Sequence, residues 1–153
     1  WSSFSRGWRR EELRVAAKRR VLVVDDQPGI LDLLSDVLLA SGYEVAQAIN
    51  GQEAMVRLSQ DRYDLVVSDL HMPQWSGFDL LRWMKTNRRQ EKMVVMTGSA
   101  ENHALSDREF YPVEALLRKP FRIPIFLETV EALLREDRSN AERKRTRGRK
   151  GAV

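Results

Sequence analysis

The sequence predicts an α/β fold, a doubly wound parallel sheet of five strands with helices on both faces. Three observations carry that expectation. Short, wholly apolar blocks alternate with longer amphipathic ones between residues 20 and 135. The short blocks are rich in β-branched residues, as strands covered on both faces are. Proline and glycine mark the joints between blocks. Strands alternating with helices at this rhythm mean parallel βαβ units with right-handed crossovers.

The elements follow in order. Val21–Val24 (VLVV) reads as a first buried strand, β1. Pro28 occupies the preferred first position of a helix, α1. In it Ile30, Leu33, Leu34, Val37 and Leu38 recur at helical spacing until Gly42 stops the run. Tyr43–Ile49 is β2, and Gly51–Gln60 is α2, with Ala54, Met55 and Leu58 on one side. Leu65–Ser68 is β3, Phe78–Thr86 is α3 and Met93–Thr97 is β4. A fourth helix, α4, is expected near Asn102–Arg108, in a stretch whose mixed pattern and Pro112 weaken the signal. Glu114–Arg118 is β5, and Pro124 opens α5, with Ile125, Phe126, Thr129, Val130 and Leu133 as its inner face.

At 153 residues the chain has room for one domain, and 42% hydrophobic with 31% charged residues can build a core. The absence of cysteine excludes disulfide frameworks, thiolate zinc sites and thiol nucleophiles, and fits a cytoplasmic protein. The longest aliphatic run is VLVV, so neither a membrane span nor a secretory signal is expected. The net charge of +4 conceals a division along the chain. Residues 1–20 carry +5, residues 21–135 carry −5 and residues 136–153 carry +4. The expected organisation is therefore a basic N-terminal extension over 1–19, a domain over 20–136 and a basic C-terminal tail over 137–153. The tail, RKRTRGRKGAV, lacks apolar periodicity and is expected to be disordered. The extension mixes Trp1, Phe4 and Trp8 with its arginines. Such basic segments bind phosphate backbones or anionic lipid, or simply solubilise the chain.

In an open parallel sheet, ligands sit beyond the carboxyl ends of the strands. β1 ends in Asp25–Asp26, β3 in Asp69, β4 in Thr97 followed by Gly98, and β5 in Lys119 followed by Pro120. Each has a plainer reading: Asp26 as a helix cap before Pro28, Asp69 as the start of a turn, Thr97 as a strand end, Lys119 as a surface charge. None of these explains why all of them fall at the same end of different strands. Three crowded carboxylates repel one another unless a cation balances them. With no cysteine and only His71 nearby, a hard, oxygen-seeking cation such as Mg²⁺ fits. Lys119 and Thr97 add a positive charge and a hydroxyl for an anionic group. Carboxylate, Mg²⁺ and lysine together describe phosphoryl transfer onto an aspartate.

VLVVDDQPGI, DLVVSDLHMPQWSGFDLL, VVMTGSA and LLRKPF, in that order, resemble the receiver domain of two-component response regulators, a flavodoxin-like family. The resemblance runs from about Arg20 to Arg135. It implies the strand order 2-1-3-4-5, with Asp69 as phosphoacceptor. It further implies that Asp25, Asp26, Asp69 and the backbone carbonyl of His71 hold Mg²⁺. Lys119 would contact the phosphoryl group, with a cis bond to Pro120, and Thr97 would be the switch hydroxyl, with Gly98 leaving room beside it. The phosphoryl donor would be a phosphohistidine on a histidine kinase or a histidine phosphotransfer protein. A downstream protein would read the surface of α4, β5 and α5 (the α4-β5-α5 face), through which a homodimer could also form.

The sequence departs from the family at one position. Receivers usually carry Tyr or Phe three residues before the lysine, whereas this chain has Leu116, with Phe110 and Tyr111 as the nearest substitutes. That puts in doubt how phosphorylation is transmitted to the α4-β5-α5 face. His71 could govern access of water to an acyl phosphate or simply face solvent, and Trp75 could flank the site or shield its turn. His103 has no evident role. Eighteen residues follow Arg135, too few for a helix-turn-helix or catalytic output domain, so a free-standing receiver is expected. Two other readings stay open. One is a regulator that binds nucleic acid through its tails. The other is an aspartate-nucleophile phosphatase built on Asp25, against which Gln27 stands where a second acid is needed.

Overall fold

Residues 18–98 and 113–150 are described by the computed structural model. They form a five-stranded sheet of order β2-β1-β3-β4-β5 in which every neighbouring pair is parallel. β1 (Arg20–Val24) lies at the centre with β3 (Leu65–Asp69), β4 (Lys92–Thr97) follows, and β2 (Glu44–Ala48) and β5 (Ala115–Arg118) are the edges. The expected fold class and strand order both hold.

Side chains on a strand alternate between faces, and β1 divides its apolar run accordingly. Val21 and Val23 join one core with Leu31, Leu34 and Leu38 of α1 (Pro28–Ala40) and Phe126, Val130 and Leu134 of α5 (Ile123–Lys150). Leu22 and Val24 join the other with Ala54 and Leu58 of α2 (Gly51–Gln60) and Leu80 and Met84 of α3 (Gly77–Thr86). Val21, Leu22, Val23 and Val24 are all fully buried. Burying such a side chain is worth roughly 1.5–3 kcal/mol, so this strand anchors both halves of the domain.

Two inner faces differ from expectation. α1 buries Leu31, Leu34, Ser35 and Leu38, while Leu33 is half exposed. α5 buries Phe126, Val130 and Leu134, and Ile125 faces outward. Both helices carry more apolar residues than one stripe needs, and the neighbours they pack against select the stripe. α5 also continues as helix to Lys150, where no regular structure was expected after residue 136. Glu, Arg, Lys and Ala are good helix formers, so the segment extends a helix already nucleated on the sheet. Residues 1–17 and 99–112, with the extension's aromatic residues, α4, His103, Phe110, Tyr111 and Pro112, lie outside the described residues. Among the described residues no helix is long and apolar enough to cross a membrane.

Candidate functional site

The carboxyl ends of the strands are held in line by backbone bonds that continue the ladder one step past each strand. Asp25 N–H donates to the Ala48 carbonyl at 3.1 Å, Leu70 N–H to Met96 at 2.8 Å and Lys119 N–H to Thr97 at 2.7 Å. Together with the strand register, these bonds set Asp25, Asp69, Thr97 and Lys119 side by side on one rim.

Asp25 is fully buried and Asp69 is 7% exposed, whereas Asp26 is exposed. One carboxylate oxygen from each lies within 4.8 Å of the others, a set able to hold a metal ion. The Lys119 ammonium bridges two of them, donating to Asp25 Oδ2 at 3.1 Å and to Asp69 Oδ2 at 3.2 Å. Three carboxylates against one ammonium leave a local charge near −2. The donors are all hard oxygens, and the deficit is that of one divalent cation, so the residues present fit Mg²⁺.

The titration of the rim follows from its burial. Desolvation raises the Asp69 carboxyl above its ordinary value, Lys119 pulls it down, and the Asp25 charge pushes it up again. Burial works against the Lys119 charge, yet its hydrogen bond to Asp25 and the attraction of both carboxylates outweigh that and hold it above the usual lysine value. A carboxylate held dry beside a fixed ammonium is poised to accept a cation and an anion together.

The other expected residues fall around this cluster. Thr97 is fully buried at the end of β4, and its hydroxyl donates to the Gly98 carbonyl at 3.2 Å. Among the described residues, a Cβ on Gly98 would meet nothing within 4 Å. His71 is exposed, and its N–H approaches Asp69 Oδ1 at 3.4 Å. The Lys119–Pro120 bond is cis, as expected. Asp26 does not cap α1: Gln27 is the N-cap without a side-chain bond, and its N–H donates to Asp25 Oδ1 at 2.9 Å. Trp75 is half buried against the start of α2, where a Cβ on Gly51 would come within 3.0 Å of the Trp75 Cβ. Leu116, 37% exposed, pairs with Val95 across the β4–β5 ladder.

One supporting residue, Gly77, opens α3 after the turn that follows Asp69. A Cβ on Gly77 would lie 2.6 Å from the Asp69 carbonyl oxygen and 3.0 Å from the Leu70 Cα. Only glycine lets α3 start so close to the backbone that carries Asp69. Ser76 fixes that start through a reciprocal capping box with Asp79. The sequence signal was present, a Ser-Gly-x-Asp run beginning seven residues past Asp69, but the contact it serves is not a matter of spacing.

A model of the response regulator receiver domain family matches residues 21–131. Sporulation initiation phosphotransferase F of Bacillus subtilis (strain 168) is 31% identical over 115 residues, covering 75% of this chain and 93% of that protein. The polar-differentiation response regulator DivK of Brucella anthropi is 30% identical over 118 residues, covering 76% and 96%. Among solved structures, a CheY-like receiver domain protein of Methanospirillum hungatei JF-1 superposes with a TM-score of 0.72 at 28% identity, over 81% of this chain and 99% of that one. The response regulator protein TrrA of Thermotoga maritima, solved in complex with Mg²⁺ and BeF, gives a TM-score of 0.67 at 34% identity, over 75% and 98%.

Proposed function

Since the chain belongs to the response regulator receiver domain family and so serves two-component phosphoacceptor signalling, we propose that Asp69 is the carboxylate that accepts the phosphoryl group. The observation that carries this is the Lys119 ammonium lying 3.1 Å from Asp25 and 3.2 Å from Asp69 within a cluster of three acids. Asp69 is the member of that cluster that ends the central strand β3.

In the transfer, an Asp69 oxygen attacks the phosphorus of a phosphohistidine in line with the leaving imidazole. The P–N bond breaks as the P–O bond forms, and the imidazole nitrogen takes up a proton from solvent. Lys119 stays beside the new acyl phosphate and offsets its charge, and Thr97 turns its hydroxyl from Gly98 towards a phosphoryl oxygen. Asp25, Asp26, Asp69 and the His71 carbonyl would hold Mg²⁺, which when bound neutralises charge on the phosphoryl oxygens and helps to orient them. The relative solved with Mg²⁺ and BeF supports that assignment. Hydrolysis of the acyl phosphate restores the carboxylate, and the domain's own chemistry is confined to these two steps.

The functional domain is residues 20–136, acting in the cytoplasm. Its phosphoryl donor is a histidine kinase or a histidine phosphotransfer protein, and its output is a protein contact on the α4-β5-α5 face, where a homodimer also forms. Incubation with acetyl phosphate and Mg²⁺ followed by intact-mass measurement tests the acceptor. One phosphoryl group on the wild type and none on Asp69→Ala is expected. Absence of label on the wild type, or equal label on both, overturns the assignment.

A further inference from the structure

The amino end of the sheet, opposite the acidic rim, gathers arginines, with acids among them, from distant parts of the sequence. Arg19, just before β1, lines one shallow pocket with Leu134 and Arg135 near the end of the α5 core contact. Lys92, opening β4, donates to the Leu133 carbonyl at 2.9 Å, so α5 leaves the domain at this same end. A second pocket here is lined by Arg62, Arg88 and Arg89. Arg19, Arg20 and Arg89 are matched by acids. Asp64 and Glu91 also line the second pocket and Glu131 the first, although among the described residues none of them makes an ion pair with Arg62, Arg88 or Arg135.

From this pole α5 runs on for sixteen residues past Leu134, roughly 24 Å of helix. Its last eight residues, 143–150, contain six Lys or Arg and no acid. Arg143, Lys144 and Arg147 are exposed, and helical spacing places Arg143 and Arg147 on one face. Like charges at that spacing oppose the helix they sit on, and a polyanion relieves them. The basic N-terminal residues join the domain at this pole too, through Lys18 and Arg19.

We infer that this pole, with the projecting end of α5, is a binding surface for duplex DNA. Three considerations select that partner. About six positive charges over roughly 12 Å of helix match the charge density of a duplex, one phosphate per about 1.7 Å of axis. A helix lying on a membrane surface needs an apolar face, and between residues 136 and 150 the one aliphatic side chain is Ala141. The acidic rim is at the far end of the strands, so a body of net charge −5 turns its more nearly balanced end, from which the basic helix projects, towards the phosphates. The surface reads backbone charge, and binding there is not sequence-specific.

The test is fluorescence anisotropy of the intact chain with a labelled duplex of about 20 base pairs, between about 50 and 200 mM salt. The logarithm of affinity should fall against the logarithm of salt with a slope of about −4 or steeper. R143Q/K144Q/R145Q/R147Q should weaken binding ~30-fold or more at about 100 mM salt and flatten the slope by about 3. Glutamine keeps the helix propensity, and unchanged labelling by acetyl phosphate reports that the domain is intact. R143K/R145K/R147K, which keeps the charge, and Asp69→Ala, which touches only the other pole, should both bind as the wild type does. A slope shallower than about −1, or equal binding by the glutamine variant, overturns the inference. So does tighter binding to phosphatidylserine vesicles than to the duplex, or equal competition by polyglutamate. Failure here would leave the phosphoacceptor untouched, since mass labelling reads that separately.

Discussion

The two ends of one sheet are built on opposite electrostatic terms. At the carboxyl end, two buried acids share a single lysine beside an exposed third acid. At the amino end, acids meet arginines individually: Arg19 pairs with Asp64 at 3.3 Å, Arg20 with Glu44 at 3.3 Å and with Asp61 at 3.6 Å, and Arg89 with Glu91. The first arrangement is unbalanced and dry, the second closer to balance and, the Arg89–Glu91 pair apart, wetter. A fold that needed only stability would match charges at both ends. The excess of acid at the carboxyl end has its reason in a ligand, and it makes that end sensitive to the loss of any one cation.

Lys119→Ala gives the largest expected effect. It removes the one ammonium that faces both buried carboxylates and leaves them with each other. Breaking a buried pair from one side costs about 3 kcal/mol or more, and urea unfolding at pH 7 without divalent ions should show a loss of that order. Millimolar Mg²⁺ should restore part of it, because the cation meets the same carboxylates. A loss below about 0.5 kcal/mol would erase the distinction between the two ends.

How much of this the sequence revealed depends on what kind of contact carried it. The rim was legible because topology alone puts strand ends together: Asp25, Asp26, Asp69, Thr97 and Lys119 needed only the order of strands and helices. The bridging of Asp25 and Asp69 by Lys119 was not, because it depends on the β4–β5 register and on the Lys119 N–H bond to Thr97. Gly77 was missed as a support for the same reason: its need arises from the Asp69 carbonyl 2.6 Å from where a Cβ would stand. The buried stripes of α1 and α5 were misplaced around the helix axis. Leu33 and Ile125 look like core in a periodic reading and are about half exposed in the fold, since periodicity counts apolar residues and only packing assigns their neighbours. The helical end of α5 was not legible because low hydrophobicity is also the mark of disorder, although its residue types favour helix once one is begun.

Asp69→Asn should move stability the other way. Burial first, and then Asp25, raises the Asp69 carboxyl, with Lys119 offsetting part of the rise. A folded-state value above the unfolded one means that the folded chain still holds its proton when the unfolded chain has released it. Stability therefore falls as pH rises through the window between the two values, and the deficit persists above it. Without divalent ions the asparagine variant should be more stable than the wild type at pH 7. The advantage should vanish below the unfolded carboxyl value of about 3.9. Unfolding curves across that range check both statements. Equal stability at neutral pH would mean that Lys119 balances the rim alone, and the carboxyl end would then resemble the amino end.

Arg20→Ala should give the smallest effect, although Arg20 makes more contacts than Lys119. It pairs with Glu44 and Asp61, donates to the Arg62 carbonyl at 3.2 Å and lies 5.0 Å from the centre of the Tyr63 ring. Its side chain is 38% exposed, however, and those of its acids are 56% and 54% exposed, so water already solvates both carboxylates it would abandon. Exposed pairs contribute about 0–1 kcal/mol and cation–π contacts at such sites about as little. The loss should stay within about 1 kcal/mol and shrink further as salt is added. A second readout follows the same contact: burial raises the Tyr63 hydroxyl and Arg20 opposes that rise. Removing Arg20 should therefore push the tyrosine titration, followed by ultraviolet absorbance, further into the alkaline range. A loss as large as that of Lys119→Ala would show that the count of contacts, and not their burial, sets the cost of removing a cation from this sheet.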